Sequence, residues 1–363
     1  MNDEKLYNRI KVRLSVIDIV MDMLLITMLA FSGLSVIIAG YSFITGNAYG
    51  DFLVFMLITG MIFSLVGLPL EFYGSYIIEH RFGLSNQTII KWIWEKMKSL
   101  ALSLIIGIPV SLVFYYLIRK AGENWWLYFS IFIFIISVFL ARIAPVVIFP
   151  LFYKFTELEN GEIREKVEKI LSDVKIDIKG IFSFNMSKDT KKANAGFTGL
   201  GRSKRIILSD TLLEKFTPDE IAVVFAHEAG HYKHRHIIKN IMFSTVIIFG
   251  TFYVCSVLYS VTARSMGYEN VYELAALPLL VFYLMLAGLI MMPVTNFISR
   301  KYEFQADRYA LSATSDLNSF ISTMEKLAET NLADKEPHPA VEFFLYSHPS
   351  IKRRIEAARN FKN

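Results

Sequence analysis

One cysteine, Cys255, stands in 363 residues. No internal disulfide can form, and no metal site built on thiolates is available. Charge is scarce as well: 20% of residues are charged, against 54% hydrophobic and 14% aromatic, and mean hydropathy is +0.42. An ordinary soluble domain carries about 25% charged residues, so this balance excludes one and points to membrane spans. The net charge of +5 is small, and no basic stretch is interleaved with aromatics in an RNA-binding pattern. Nucleic acid is therefore not expected as a partner. The N-terminus, MNDEKLYNRIKVR, lacks a short apolar core with a cleavage site, so it reads as mature protein without a removed signal peptide. No internal repeat is found, and Pro69, Pro109, Pro145, Pro278 and Pro293 show no two-fold pattern. Both absences weigh against a transporter built on repeated halves.

What the chain does have is long apolar stretches. Six of them, near Leu14–Ile44, Phe52–Ile78, Leu100–Ile118, Trp125–Phe149, Ile237–Val261 and Leu274–Ile298, are long enough to span, since a hydrocarbon core of about 30 Å needs about 20 helical residues. Asp18 and Asp22 share a helix face near the start of the first; they either look into the protein or water, or lie at the interface before the true span begins. With six spans, the N-terminus, the loop 79–99, the segment 150–236 and the C-terminal tail share one side. That side carries Lys5, Arg9, Lys11, Arg13, Arg81, Lys91, Lys96 and Lys98, while the other offers little beyond Arg119, Lys120 and Arg264. The positive-inside rule places the rich side in the cytoplasm.

The expected organisation is four spans over 1–149, a soluble insertion over 150–236, two spans over 237–299, and a helical C-terminal region over 300–363. In the insertion, charges interleaved with Ile163, Val167, Ile170 and Leu171 predict an amphipathic helix over Glu162–Val174. Gly180–Phe184, Ala195–Leu200 and Arg205–Leu208 read as strands, the last two joined as a hairpin through Gly199 and Gly201. Such a hairpin is either plain structure or a free edge that holds a peptide by strand addition.

The most informative stretch is TPDEIAVVFAHEAGHY, residues 217–232. Thr217 suits an N-cap, Pro218 the first helical position and Glu220 the acid of a capping box. Ile221, Val224 and Phe225 supply an apolar stripe. His227 and His231, one turn apart, leave the same face and make a pair suited to Zn²⁺. Glu228 fits the general base of a metalloprotease. A chance match on a surface helix is the competing account.

Catalytic zinc has three protein ligands and one open position. After the last span comes RKYEFQAD, residues 300–307, in which Glu303 and Asp307 are four apart on a helix continuing that span. One would be a ligand and the other an acceptor for a histidine N–H; a surface acidic pair balanced by Arg300, Lys301 and Arg308 is the alternative. His234 and His236 are assigned to the interface as basic residues, not ligands.

Beyond HEAGH, the chain carries Leu68-Pro69-Leu70, Phe82-Gly83, PVVIFPLFYKFTELEN (145–160), NAGFTGL (194–200), RSKRIILSDTL (202–212), YEFQAD (302–307) and YSHP (346–349). In that order and spacing, from about Asn8 to the C-terminus, it resembles the integral-membrane zinc CAAX prenyl proteases, endopeptidases that trim prenylated proteins. The resemblance implies that His227, His231 and Glu303 bind one zinc, that Glu228 is the general base and that Asp307 buttresses a ligand histidine. It implies that His348 stabilises the oxyanion, that Arg354 orients the site, and that Asn194, with Ala195 and Gly196, holds the substrate backbone on an edge strand. It also implies a ring of membrane helices around an internal chamber. The chain departs in having one span fewer than eukaryotic members, Gly196 where a larger residue is usual, and Tyr232 where Trp is usual.

The expected fold is therefore mainly α: a polytopic membrane helical bundle with a small cytoplasmic α+β zinc-protease domain. The expected function is zinc-dependent peptide hydrolysis, CAAX-type, with peptide or protein substrate and lipid bilayer as partners. A quality-control membrane protease of loose specificity shares every catalytic residue. A transporter and a non-catalytic membrane zinc protein are the more distant alternatives.

Overall fold

The computed structural model describes residues 3–158, 161–174, 180–199 and 205–361. Six helices in it are long and apolar enough to cross a membrane: α1 (Asp3–Phe31), α3 (Ala48–Arg81), α4 (Ile89–Lys120), α5 (Gly122–Phe152), α9 (His236–Ser265) and α10 (Leu277–Thr314). The chain is an integral, multi-pass membrane protein. The first span departs from its expected course over Leu14–Ile44. Gly33 takes φ +80°, a left-handed conformation that no helix interior tolerates, so α1 ends at Phe31 and a short α2 (Leu34–Ser42) follows. Helices α3 and α5 each contain a π turn, at Tyr73–Ile77 and Ala144–Ile148, close to Pro69 and Pro145.

Among the described residues, two of the three apolar clusters hold most of the buried side chains. One gathers Leu29, Phe52, Trp125, Phe129, Tyr259 and Leu279 from the membrane helices; the other packs Val167, Ile206, Ile221 and Phe225 of the insertion against Phe320 of the C-terminal region. Between them the membrane helices are little buried: 6% of the most apolar window in α3 and in α5, against 39% in the helix that ends in α10. Helices exposed on both faces suit a ring around open space better than a close-packed bundle.

The insertion begins with β1 (Phe155–Glu157) and α6 (Glu162–Val174), followed by β2 (Ile181–Phe184), β3 (Ala195–Thr198) and β4 (Arg205–Ser209). The sheet order is β1-β2-β4-β3, with β2 parallel to β4 and the other pairs antiparallel. The expected pairing of 195–200 with 205–208 is present as β3 and β4; its turn at Leu200 and Gly201 lies outside the described residues. Strand β1 was not expected, because three residues are too few to show alternation.

After α7 (Asp210–Lys215), α8 (Pro218–Lys233) opens with the expected capping box. Thr217 N–H donates to Glu220 Oε2 at 2.8 Å and Glu220 N–H to Thr217 Oγ1 at 3.4 Å. Glu220 is further fixed by Ser322 Oγ at 2.6 Å and Lys326 Nζ at 2.8 Å, both on α11 (Leu317–Asn331). The helix then runs against α10 at the distance Gly230 permits: a Cβ there would sit 2.9 Å from Ala306 Cα. That close approach brings the face of α8 bearing His227 and His231 against Glu303 and Asp307 of α10. Two short helices, α12 (Pro339–Leu345) and α13 (Ile351–Arg359), close the chain over the same region.

Candidate active site

Helix spacing brings the imidazoles of His227 and His231 together. Their Nε2 atoms are 3.2 Å apart. From α10, Glu303 Oε2 lies 3.2 Å from His227 Nε2, and Oε1 lies 3.3 Å from His231 Nε2. These are the three groups that the family resemblance implied, and each offers one atom within 4.8 Å of the others. Ligands at 2.0–2.1 Å around a tetrahedral ion are separated by about 3.3–3.4 Å, which is the spacing seen. Glu303 Oε2 is buried without a hydrogen-bond partner among the described residues. Two nitrogen lone pairs and a buried carboxylate converging on one point repel each other unless a cation lies between them, so the donor set fits a metal ion.

The far edges of both rings are held. His227 Nδ1–H donates to Asp307 Oδ1 at 2.9 Å, and Asp307 in turn accepts from Arg354 Nε at 2.8 Å and Nη2 at 2.5 Å. All three residues are buried. Burial opposes charge on His227, but the carboxylates of Asp307 and Glu303 outweigh it and push the imidazole up to about 9. The site thus attracts positive charge at this ring, and a bound cation would replace the proton. One turn apart on α10, Glu303 and Asp307 reach opposite edges of one imidazole, Glu303 at Nε2 and Asp307 at Nδ1.

His231 has a support that the sequence reading missed. Its Nδ1 lies 2.9 Å from His236 Nδ1, and His236 Nε2 lies 2.8 Å from Gln305 Oε1. His236 also stacks on Tyr302, with ring centroids 4.2 Å apart. At 2% exposure it is not a basic interface residue. Arg235, at φ +56°, turns the chain back so that His236 faces the motif. One tautomer satisfies every group: His231 donates from Nδ1, and His236 accepts there and donates from Nε2 to Gln305, leaving His231 Nε2 free for a ligand bond. A histidine five positions after the second motif histidine was the available signal. Replacing His236 by Ala is expected to weaken metal affinity about 10–100-fold, as read by titration against a competing chelator.

Glu228 points elsewhere, and its Oε2 accepts the Phe197 N–H of β3 at 3.3 Å. Strand β3 is an edge strand of the sheet. Ser209 N–H donates to Asn194 O at 2.9 Å, so Asn194 and Gly196 bond to β4, whereas Ala195 and Phe197 turn their backbone groups to the free side. Asn194 and Ala195 line the cavity that contains His227, Glu228 and Glu303; Gly196 is not among its lining residues. His348 lines it too, its Nε2 3.4 Å from Glu303 Oε1 and its Nδ1 3.0 Å from Ser347 Oγ. Arg354 enters the site through Asp307.

The profile of peptidase family M48 matches residues 157–362, and that of the CAAX prenyl protease N-terminal region, described as five membrane helices, matches residues 1–154. Among the described residues, four candidate spans fall in that N-terminal part. Similar proteins include the uncharacterized metalloprotease YhfN of Bacillus subtilis, 35% identical over 85% of this chain and 73% of the relative. CAAX prenyl protease 1 of Saccharomyces cerevisiae is 32% identical over 84% of this chain and 71% of its own length. Among solved structures, Ste24p of S. mikatae superposes with a TM-score of 0.79 at 30% identity, over 87% of this chain and 77% of that one.

Proposed function

Because this chain belongs to peptidase family M48 and is a membrane metalloendopeptidase, we propose that it uses one zinc ion, held by His227, His231 and Glu303, to cleave proteins near a prenylated C-terminus. The observation that carries the reading is the convergence of two imidazole Nε2 atoms, 3.2 Å apart, on the two oxygens of one buried carboxylate at 3.2 and 3.3 Å; three protein ligands are the set of a catalytic zinc, which keeps a fourth position for water or substrate. The bound ion would supply Lewis acidity to the scissile carbonyl and acidity to water.

The remaining chemistry belongs to the chain. A substrate strand lies along β3 and bonds to the backbone groups of Ala195, with Asn194 beside it. Glu228 takes a proton from the attacking water on its carboxylate and returns it to the leaving amine. The Phe197 N–H holds Glu228 Oε2 against the edge strand, so the base sits beside the bond to be cut. His348 donates to the developing oxyanion, a type of contact worth about 3–4 kcal/mol in the transition state. Asp307 and Arg354 hold His227, and His236 holds His231. The Lys- and Arg-rich loops support a cytoplasmic side for this site, and a C-terminal C-a-a-X is the signal that marks a protein for prenylation.

The test uses the purified full-length protein and a farnesylated peptide beside its unlipidated twin. One zinc per chain, loss of cleavage with chelator, recovery on adding zinc and at least tenfold preference for the lipidated peptide are the expected results. Cleavage that survives full metal removal overturns the metal assignment. Equal cleavage of the twins replaces the CAAX reading with a protease of loose specificity.

A further inference from the structure

The cavity that holds the catalytic groups is about 780 Å³ and does not end at them. It continues past Asn194 to a second group of side chains, Tyr7 and Lys11 of α1 and Lys192 on the approach to β3. All three converge on Glu79 of α3: Tyr7 Oη–H donates at 2.6 Å, Lys11 Nζ at 3.1 Å and Lys192 Nζ lies at 2.9 Å. Lys192 Nζ also donates to Tyr7 Oη at 2.9 Å, and Lys11 Nζ to Gly74 O at 3.1 Å. The Glu79 side chain is 13% exposed, whereas Lys11 is 38% and Lys192 28% exposed. Both lysines line the cavity and Glu79 does not. One part-buried carboxylate thus answers two ammonium groups on residues that line the space. Asp334 lines the cavity as well, with its Oδ1 taken by the Glu336 N–H at 3.0 Å.

We propose that Lys192 and Lys11 receive the C-terminal carboxylate of the substrate. The proposal rests on the peptidase reading above, takes from its C-a-a-X end the three residues beyond the cut, and adds to it a receptor for the chain end. An antiparallel partner added to β3 runs opposite to it, so its C-terminus leaves toward Asn194 and Lys192. The cut bond lies near Phe197, whose N–H meets the Glu228 carboxylate. Three extended residues span about 10 Å, which carries the chain end from Phe197 back to about Asn194, within reach of a lysine side chain two residues away. Tyr7, Lys11 and Lys192 then form a stop that counts residues from the C-terminus. Glu79 keeps the lysine heads in place, and a carboxylate arriving at the wall meets donors already oriented.

The experiment compares three peptides of one sequence on the metal-loaded full-length protein: one with a free C-terminus three residues past the cut, its C-terminal amide, and an amide ending in Asp, which offers a side-chain carboxylate instead. Wild type is expected to favour the free acid over the plain amide about tenfold in kcat/KM, mostly through KM, with the Asp-amide closer to the plain amide. Lys192→Gln and, independently, Lys11→Gln are expected to shrink that ratio to about twofold or less. Peptide binding to the Glu228→Gln protein, read by fluorescence anisotropy, reports the same preference without cleavage. Lack of any cleavage would then count against the peptidase reading, while the acid-to-amide ratio in binding still judges the carboxylate receptor. Equal handling of acid and amide by wild type, or an unchanged ratio in both lysine variants, overturns it.

Discussion

Glu228→Gln is expected to bind one metal ion per chain as the wild type does and to lose peptide cleavage by a factor of about 10²–10⁴. The expectation follows from where the carboxylate points. The three atoms that converge on the metal position come from His227, His231 and Glu303, and Glu228 contributes none of them. Gln keeps the side-chain length and an oxygen that can accept the Phe197 N–H, so the placement of α8 against β3 should survive. What it cannot do is take up a proton and give it back. The effect should therefore fall on kcat, with KM changed little, because no ground-state contact to the peptide backbone is removed. Replacing Glu303 instead would remove a ligand, and metal and activity would disappear together. Metal analysis beside a cleavage assay separates the two cases. Activity within tenfold of wild type in the Glu228→Gln protein would show that another group moves the proton.

Parts of this architecture were legible before any coordinates, for identifiable physical reasons. The helix Glu162–Val174 was placed to the residue because its apolar and charged positions alternate with helical period. The start of α8 was readable because a capping box is a local code of four residues. The pairing of His227 with His231 needs only helical spacing. Glu303 and Asp307 lie more than 70 residues from the motif, and their candidacy came from the same spacing on a helix continuing a span. Which of them meets the metal face depends on the rotation of α10 against α8, a tertiary quantity set by the close approach at Gly230. The resemblance to the CAAX prenyl proteases supplied that choice, along with His348, Arg354 and Asn194. What stayed hidden was of two kinds. Single backbone conformations, such as Gly33 in the first span and Arg235 before His236, leave no periodic trace. Contacts between distant polar residues, such as His236 with Gln305 or Lys192 with Glu79, carry no pattern along the chain.

The largest stability effect is expected at Asp307. Its carboxylate answers the buried Arg354 through both oxygens and at the same time fixes His227. Asp307→Ala strands the buried guanidinium without its hydrogen-bonded counter-charge, leaving only the more distant Glu303 and Glu228 carboxylates; breaking a buried pair in this way typically destabilises a protein by about 3–5 kcal/mol. It also frees the His227 ring, and losing a support of this kind costs a metal site about 10–100-fold in affinity. The two losses have different origins and can be separated. In Asp307→Ala with Arg354→Met the stranded charge is gone, so most of the lost thermal stability should return. The ring remains unsupported, so metal affinity should not return with it. Thermal unfolding of the metal-free proteins, set beside zinc titration against a competing chelator, reads the two quantities independently. If the double variant regained both, the carboxylate would serve only to neutralise Arg354. If Asp307→Ala unfolded at the wild-type temperature, water would already be solvating the guanidinium, and the close packing of α13 over α10 around it would have to be wrong.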